Sequence, residues 1–91
     1  MSIAYMTHLR NLAAVAAEID SGVMPNCSDM AKTLKVVPRT IHRYLDTLRM
    51  LGAPLQFDST QNGYHFAKPW GFDVALMKWL TSPAARHTAS A

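Results

Sequence analysis

One short segment constrains the fold of this chain more than any other. Residues 36–45 read Val-Val-Pro-Arg-Thr-Ile-His-Arg-Tyr-Leu, so a turn leads into a proline of the kind that opens a helix. After this proline, apolar side chains recur at the spacing of one buried helix face, at Ile41, Leu45, Leu48 and Leu51. The pattern predicts a helix over residues 38–51, which Gly52 ends.

The other side chains of this helix are cationic or polar, and they are predicted to face outward: Arg39, Thr40, His42, Arg43 and Tyr44. The alternative for His42 and Tyr44 is that one of them covers the neighbouring helix. An α-helix fits the major groove of B-form DNA, so a duplex is the most economical target for such a surface in a small basic protein. Arg39 and Arg43 lie one helical turn apart, and arginine can bind guanine through two hydrogen bonds or clamp a phosphate. The competing interpretation is a surface ion pair, for example between Arg43 and Asp46.

The positive charge of the chain is concentrated around the same helix. The formal net charge is +3, and five of the 9 lysines and arginines lie within residues 32–49, where only Asp46 opposes them. Clustered cations of this kind are typical of a protein that contacts phosphates. Lys32 and Lys35 are therefore predicted to meet the DNA backbone, which adds affinity without sequence information. A solvated helix face is the alternative interpretation.

The rest of the chain predicts three further helices. The first covers Ile3–Asp20 and ends at the Ser-Gly pair that follows it. The second begins after Asn26, a good N-cap, and ends at Leu34. The last is predicted over Phe72–Leu80, and its apolar side is formed by Phe72, Leu76, Trp79 and Leu80.

A β-hairpin is predicted between the third and last helices. Apolar and polar residues alternate at 54–58 and at 64–66, and the turn-forming residues 59–62 join these strands. The turn carries no lysine or arginine, and phosphate would repel Asp58. At most a polar contact with DNA is expected from Thr60, Gln61 or Asn62. A hairpin with little role in binding is an equally open interpretation.

Together these elements predict a mainly α fold with a small β-hairpin. Their order is that of a winged helix-turn-helix, with three helices, a two-stranded wing and an extra C-terminal helix. The chain is predicted to form one domain over residues 1–80 and a flexible tail over residues 81–91. In a helix-turn-helix the second helix of the motif lies in the major groove, and the first crosses the DNA backbone.

Five short motifs occur in order along the chain. They begin at Asp29 (Asp-Met-Ala), Leu34 (Leu-Lys-Val), Arg39 (Arg-Thr-Ile-His-Arg), Leu48 (Leu-Arg-Met-Leu-Gly-Ala-Pro-Leu) and Asn62 (Asn-Gly-Tyr-His-Phe). This set resembles the N-terminal DNA-binding domain of WYL-type bacterial transcription regulators, which are sometimes grouped with DeoR-like regulators. The resemblance covers about residues 5–67, and it implies a winged helix-turn-helix that binds DNA.

The chain departs from that family pattern at three points. Tyr44 stands where such domains usually have aspartate, which would leave the helix face more open to stacking or hydrogen bonding with nucleic acid. Val37 stands where they usually have a serine helix cap. The ligand-sensing domain that normally follows is missing, so the resemblance does not extend to binding of a small-molecule effector. Residues 82–85 have linker composition, so the chain is either a whole small regulator or a fragment of a longer one.

The aromatic-rich segment after the hairpin supports two interpretations. Trp70, Phe72, Met77 and Trp79 are predicted to close the core by packing the last helix on the first. The competing role is the seam of a dimer. Bacterial operators are commonly palindromic because their readers are two-fold dimers, so a homodimer through the first and last helices is expected.

Catalytic, metal-binding and cofactor-binding roles find no support in the sequence. The four histidines are scattered, and the chain has no acidic pair at a site-like spacing, no glycine-rich phosphate loop and no nucleophile motif. Cys27 is the only cysteine, so neither an internal disulfide nor a cysteine metal cluster can form. The sequence shows no signal peptide and no transmembrane stretch, which predicts a cytoplasmic protein.

The sequence therefore predicts a sequence-specific DNA-binding transcription regulator of bacterial or phage or mobile-element type. It would read the major groove of double-stranded DNA with residues 38–51. The alternative is a winged-helix protein-interaction module, such as an adaptor or anti-repressor, that does not bind DNA. The modest net charge, the uncharged wing and Tyr44 leave that alternative open.

Overall fold

The computed structural model describes residues 3–82, which form four helices and one two-stranded hairpin. The helices are α1 (Ile3–Asp20), α2 (Cys27–Leu34), α3 (Pro38–Met50) and α4 (Phe72–Leu80). The strands β1 (Leu55–Asp58) and β2 (Gly63–Phe66) pair antiparallel between α3 and α4. The prediction of a mainly α fold with a small β-hairpin is confirmed, and each predicted boundary lies within one residue of the observed one. Most of the predicted tail, residues 83–91, lies outside the described residues.

Local sequence signals account for the starts of α2 and α3. The side chain of Asn26 accepts a hydrogen bond from the backbone N–H of Asp29 at 2.8 Å, so it caps α2. Val37 precedes α3 and offers no such side-chain bond. Pro38 begins α3 instead, at a position where a helix needs no N–H.

The turn between α2 and α3 depends on the backbone of Lys35. This residue has a φ of 58° and a ψ of 44°, a left-handed conformation that is uncommon for a residue with a Cβ. The conformation lets the N–H of Val36 donate to the carbonyl of Ala31 at 3.0 Å, which closes the end of α2. The two helices are therefore joined by only three residues, and the cations at the end of α2 lie next to the start of α3.

The core lies where α1, α2 and α3 meet. Its buried side chains are Leu12, Val15, Ala16, Ile19, Met30, Ala31, Ile41, Tyr44, Leu45, Leu48 and Ala53. Three of the four apolar positions predicted for α3 are among them, and Leu51 is half-buried. This packing fixes the rotation of α3 about its own axis, because turning the helix would expose Ile41 and Leu48, which are fully buried.

The hairpin is attached to the body through the loop between α1 and α2. The backbone N–H of Tyr64 donates to the carbonyl of Pro25 at 2.9 Å, and Gly63 packs directly against the backbone of Met24. Within the hairpin, Phe57 pairs with Tyr64, and their rings meet edge to face with centroids 5.0 Å apart. The hairpin is therefore held at a defined angle to the three-helix core.

The last helix, α4, packs against α1 from the outside. The crevice between them is lined at one end by Ala17 and Phe72 and at the other by Tyr5 and Trp79, so the two helices run antiparallel. None of the residues of α4 is fully buried. No helix among residues 3–82 combines the length and the apolar character that crossing a bilayer requires.

The predicted roles of the α4 side chains are only partly correct. Trp70 and Phe72 pack against the core as expected. Met77, which was predicted to help close the core, is instead exposed, and Leu80 is about half exposed although it was assigned to the inner side. Helical spacing turns Met77 away from Phe72 and Trp79, whereas Leu80 follows Leu76 by four residues and lies at the edge of the inner side, at the end of the helix.

Candidate nucleic-acid interface

The outward surface of α3 carries most of the side chains that were predicted from the sequence to bind DNA. Burial of Ile41, Leu45 and Leu48 turns the opposite side of the helix to solvent. The exposed cations and the neighbouring histidine form what we call the basic face, which consists of Lys32, Lys35, Arg39, His42 and Arg43. Thr40 is half-buried at the margin of this face. Six of the seven predicted DNA-binding residues therefore lie on one surface or at its margin.

The seventh, Tyr44, does not. The prediction that it faces outward is wrong, and the alternative, that it covers the neighbouring helix, is what the structure shows. Its side chain is only 5 % exposed and belongs to the core. The phenol oxygen accepts a hydrogen bond from the side-chain nitrogen of Asn11 at 3.2 Å, and the ring lies 5.2 Å from that of His8. Tyr44 therefore joins α3 to α1 and is not available to stack on a base.

Replacing Tyr44 with phenylalanine tests this assignment. We expect the Tyr44→Phe variant to lose about 1 kcal/mol of unfolding free energy, because the Asn11 side chain loses its partner while the ring packing remains. Its affinity for DNA should equal that of the parent protein, as measured by fluorescence anisotropy beside a urea unfolding curve. Weaker DNA binding with unchanged stability would mean that the tyrosine reaches the duplex after all.

The structure does not show the competing arrangement, in which Arg43 forms a surface ion pair with Asp46. The carboxylate of Asp46 pairs with Arg49 at 3.2 Å, and not with Arg43. Both members of that pair are exposed, so it contributes little to stability. Within residues 3–82 neither Arg39 nor Arg43 forms an ion pair, so both guanidinium groups keep their donors for an external partner.

The side of the basic face nearest the hairpin contains a small polar contact network. The thiol of Cys27 lies 3.9 Å from Nδ1 of His42, so α2 and α3 are in contact through polar groups there. Burial raises the pKa of the Tyr64 phenol, the neighbouring Cys27 adds to the increase, and Arg49 opposes it. The phenol is therefore protonated at neutral pH.

The hairpin tip contributes no positive charge. The carboxylate of Asp58 accepts hydrogen bonds from the backbone N–H groups of Thr60 and Gln61, at 2.9 and 3.1 Å. Asp58 is therefore used to close the turn, and it is half-buried. Asn62 has a φ of 55°, the left-handed conformation that asparagine tolerates well. The tip offers polar side chains alone.

Two residues that matter for the geometry of the basic face were not found by sequence reasoning. Asn11 anchors Tyr44, and Met24 supports the hairpin through Gly63. Neither carries a motif, and each acts on a residue more than thirty positions away. No group of three histidine, cysteine, aspartate or glutamate side chains within residues 3–82 is placed to hold a metal ion.

Comparison of the chain with models of protein families, with curated proteins and with solved structures found no match. The resemblance to WYL-type regulators, which depends on the motifs quoted above, therefore stays a prediction. Function is inferred from the position and chemistry of the basic face itself.

Proposed function

We propose that this protein is a winged helix-turn-helix transcription regulator that binds double-stranded DNA in a sequence-specific manner. In this proposal α3 enters the major groove, α2 crosses the DNA backbone and the β-hairpin serves as the wing. The regulator would act in the cytoplasm of a bacterium, or on behalf of a phage or mobile element, and would bind its operator as a homodimer.

The observation that carries the proposal is the fixed orientation of α3. Its apolar side is locked into the core, while Arg39 and Arg43 are exposed one turn apart and form no ion pair within residues 3–82. Side chains separated by four residues stand about 6 Å apart on a helix, so both arginines can reach the same groove. Arginine donates two parallel hydrogen bonds to guanine N7 and O6, the commonest specific contact in the major groove.

The residues of the basic face divide into two roles. Arg39 and Arg43 project from the middle of the outward side of α3 and are assigned to base edges. Lys32 and Lys35 flank the helix at the end of α2, so they are assigned to phosphates, which position the protein without reading sequence. His42 and the half-buried Thr40 lie beside the arginines and are assigned supporting contacts.

The proposal is tested by the salt dependence of binding to a short random-sequence duplex. A protein that neutralises two to four phosphates should show a slope of log affinity against log salt of about −2 to −4. Anisotropy of a labelled duplex over a potassium chloride series measures that slope. If no salt-sensitive binding were measured, the proposal that the protein binds DNA would be wrong. The alternative, a protein-interaction module, would then be favoured, and the uncharged hairpin tip would suit that role.

Replacing Lys35 with alanine should weaken binding to all DNA sequences alike. We expect the Lys35→Ala variant to reduce the salt slope by about 1 while leaving base preference unchanged, because a lysine at this position meets phosphate only. Lys68→Ala removes another exposed lysine, which lies away from the basic face, and serves as the matched control. Loss of base preference in Lys35→Ala would contradict the assignment of this lysine to the backbone.

A further inference from the structure

Asp46 is the one acidic side chain of α3, and the proposed function gives it no role. Its side chain is 75 % exposed. The inner side of the helix is set by Ile41 and Leu48, which are fully buried. Asp46 follows Arg39 by seven residues, about two turns, so the two side chains point in nearly the same direction, away from the core. Asp46 therefore lies in the middle of the surface that the proposed function places against DNA.

Exposed side chains recur along α3 at the spacing i, i+3, i+4 and i+7. They are Arg39, His42, Arg43 and Asp46. The major-groove helix of homeodomains makes its base contacts at this same spacing. The first and last of these residues are about 10 Å apart along the helix axis, which is less than the major groove width of about 12 Å. Asp46 can therefore meet base edges in the same groove as the two arginines.

The ion pair of Asp46 leaves its carboxylate able to accept a further hydrogen bond. Nη1 of Arg49 donates to Oδ1 of Asp46 at 3.2 Å, and among residues 3–82 no donor is bonded to Oδ2. An ionised carboxylate has acceptor sites on both oxygens, so Oδ2 keeps its capacity. Because Asp46 pairs with Arg49 and not with Arg43, the guanidinium group of Arg43 stays available at the same time.

A carboxylate at this position favours one base over the other three. It repels phosphates, so on a surface that only attracted the DNA backbone it would weaken binding to every sequence. It is favourable opposite a hydrogen-bond donor. In the major groove cytosine presents the donor N4 and no acceptor, guanine and thymine present acceptors, and adenine presents the acceptor N7 beside its donor N6. A carboxylate therefore accepts from cytosine and rejects bases that present acceptors.

We propose that Asp46 is a specificity-determining residue that accepts a hydrogen bond from N4 of a cytosine in the operator. Asp46 follows Arg43 by three residues, about 4.5 Å along the helix axis, and successive base pairs are about 3.4 Å apart along the duplex. The cytosine should therefore lie about one or two base pairs from the guanine that Arg43 binds. This inference rests on the proposed function and deepens it by naming a second base of the operator.

Selection of bound duplexes from a random pool tests the assignment of Asp46. The parent protein should prefer cytosine over the other bases at one position by about 5-fold to 150-fold. Asp46→Asn should lose this preference and favour adenine there, because asparagine binds N6 and N7 of adenine together. Arg43→Lys identifies the neighbouring guanine as the position where its own preference is lost. That guanine preference should persist in Asp46→Asn.

Asp20→Asn is the matched control, because it removes the same charge from an exposed aspartate at the end of α1. It should keep the base preference of the parent protein at every position. Asp46→Asn should unfold at the urea midpoint of the parent, because an exposed ion pair contributes little to stability.

Two outcomes would overturn the inference, and they differ in what they leave standing. If Asp46→Asn selected the same cytosine as the parent, or only bound every duplex more tightly, Asp46 would merely oppose the neighbouring positive charge. The proposed function would then stand without this contact. If the parent protein enriched no sequence from the pool, sequence-specific binding and the role of Asp46 would both be wrong.

Discussion

Replacing Arg43 with alanine should reduce the affinity of the protein for its operator by about 1–3 kcal/mol, roughly a 5-fold to 150-fold loss. The guanidinium group is exposed and forms no ion pair within residues 3–82, so its removal leaves the folded protein undisturbed. The loss should therefore appear in DNA binding alone. Arg39→Ala should behave in the same way, because the two arginines share the outward side of α3.

Base preference distinguishes groove contact from simple charge attraction. Arg43→Lys keeps the positive charge but loses the planar fork that grips guanine, so it should retain affinity for random duplex while it loses discrimination among operator variants. The operator is first identified by footprinting on the region upstream of the gene or by selection from random duplexes. Anisotropy with the operator and with single-base variants then measures the discrimination of each protein.

Arg10→Ala is the matched control for these variants, because Arg10 is an exposed helical arginine outside the basic face. It should bind the operator as tightly as the parent protein. If Arg39→Ala, Arg43→Ala and Arg10→Ala all bound like the parent, α3 would not be the reading helix. If all three were weakened equally on every sequence, the protein would bind DNA through its net charge alone.

Replacing Gly63 with alanine should cost about 3 kcal/mol of unfolding free energy, at the upper end of the cost of overpacking. A Cβ at this buried position would overlap the carbonyl group of Met24, and neither backbone can move freely. The adjacent bond from the N–H of Tyr64 to the carbonyl of Pro25 would be strained as well. The hairpin should consequently separate from the α1–α2 loop, and affinity for DNA should fall with it.

Urea unfolding followed by circular dichroism measures the cost, and Gly71→Ala provides the comparison. Gly71 has a φ of −107°, and a Cβ there would meet first the carboxylate end of Asp73 at 3.3 Å, which can move aside. Gly71 is the N-cap of α4, where alanine is less favourable than glycine, so that variant should lose about 1 kcal/mol, well below the cost at Gly63. Equal stability of Gly63→Ala and the parent protein would show that the hairpin does not pack on Met24 in solution.

The helix boundaries could be predicted because their signals lie within a few residues of each end. Asn26 caps α2 through its own side chain, and Pro38 opens α3 because its ring already has the required φ. The left-handed conformation of Lys35 carries no such signal, since lysine shows no preference for it. The turn itself was found only from the apolar spacing on either side.

The incorrect prediction that Tyr44 faces outward arose from the polarity of its side chain, because its helical spacing is that of a buried residue. Tyr44 lies three residues after Ile41 and four before Leu48, so helical spacing alone places it on the buried side. Its hydroxyl suggested an outward role, because a buried phenol needs a partner. That partner, Asn11, lies 33 residues earlier in the chain, and nothing local predicts the contact.

The left-handed turn at Lys35 also bears on the thermodynamics of complex formation. Only three residues connect α2 to α3, and both helices pack into the same core, so Lys32, Lys35, Arg39 and Arg43 are carried by one packed unit. A preorganised surface loses little conformational entropy when it docks on a stiff polymer. The main ordering cost then falls on the long side chains, whereas the release of water and counterions favours binding. The backbone of this unit should therefore be nearly the same in its free and bound forms.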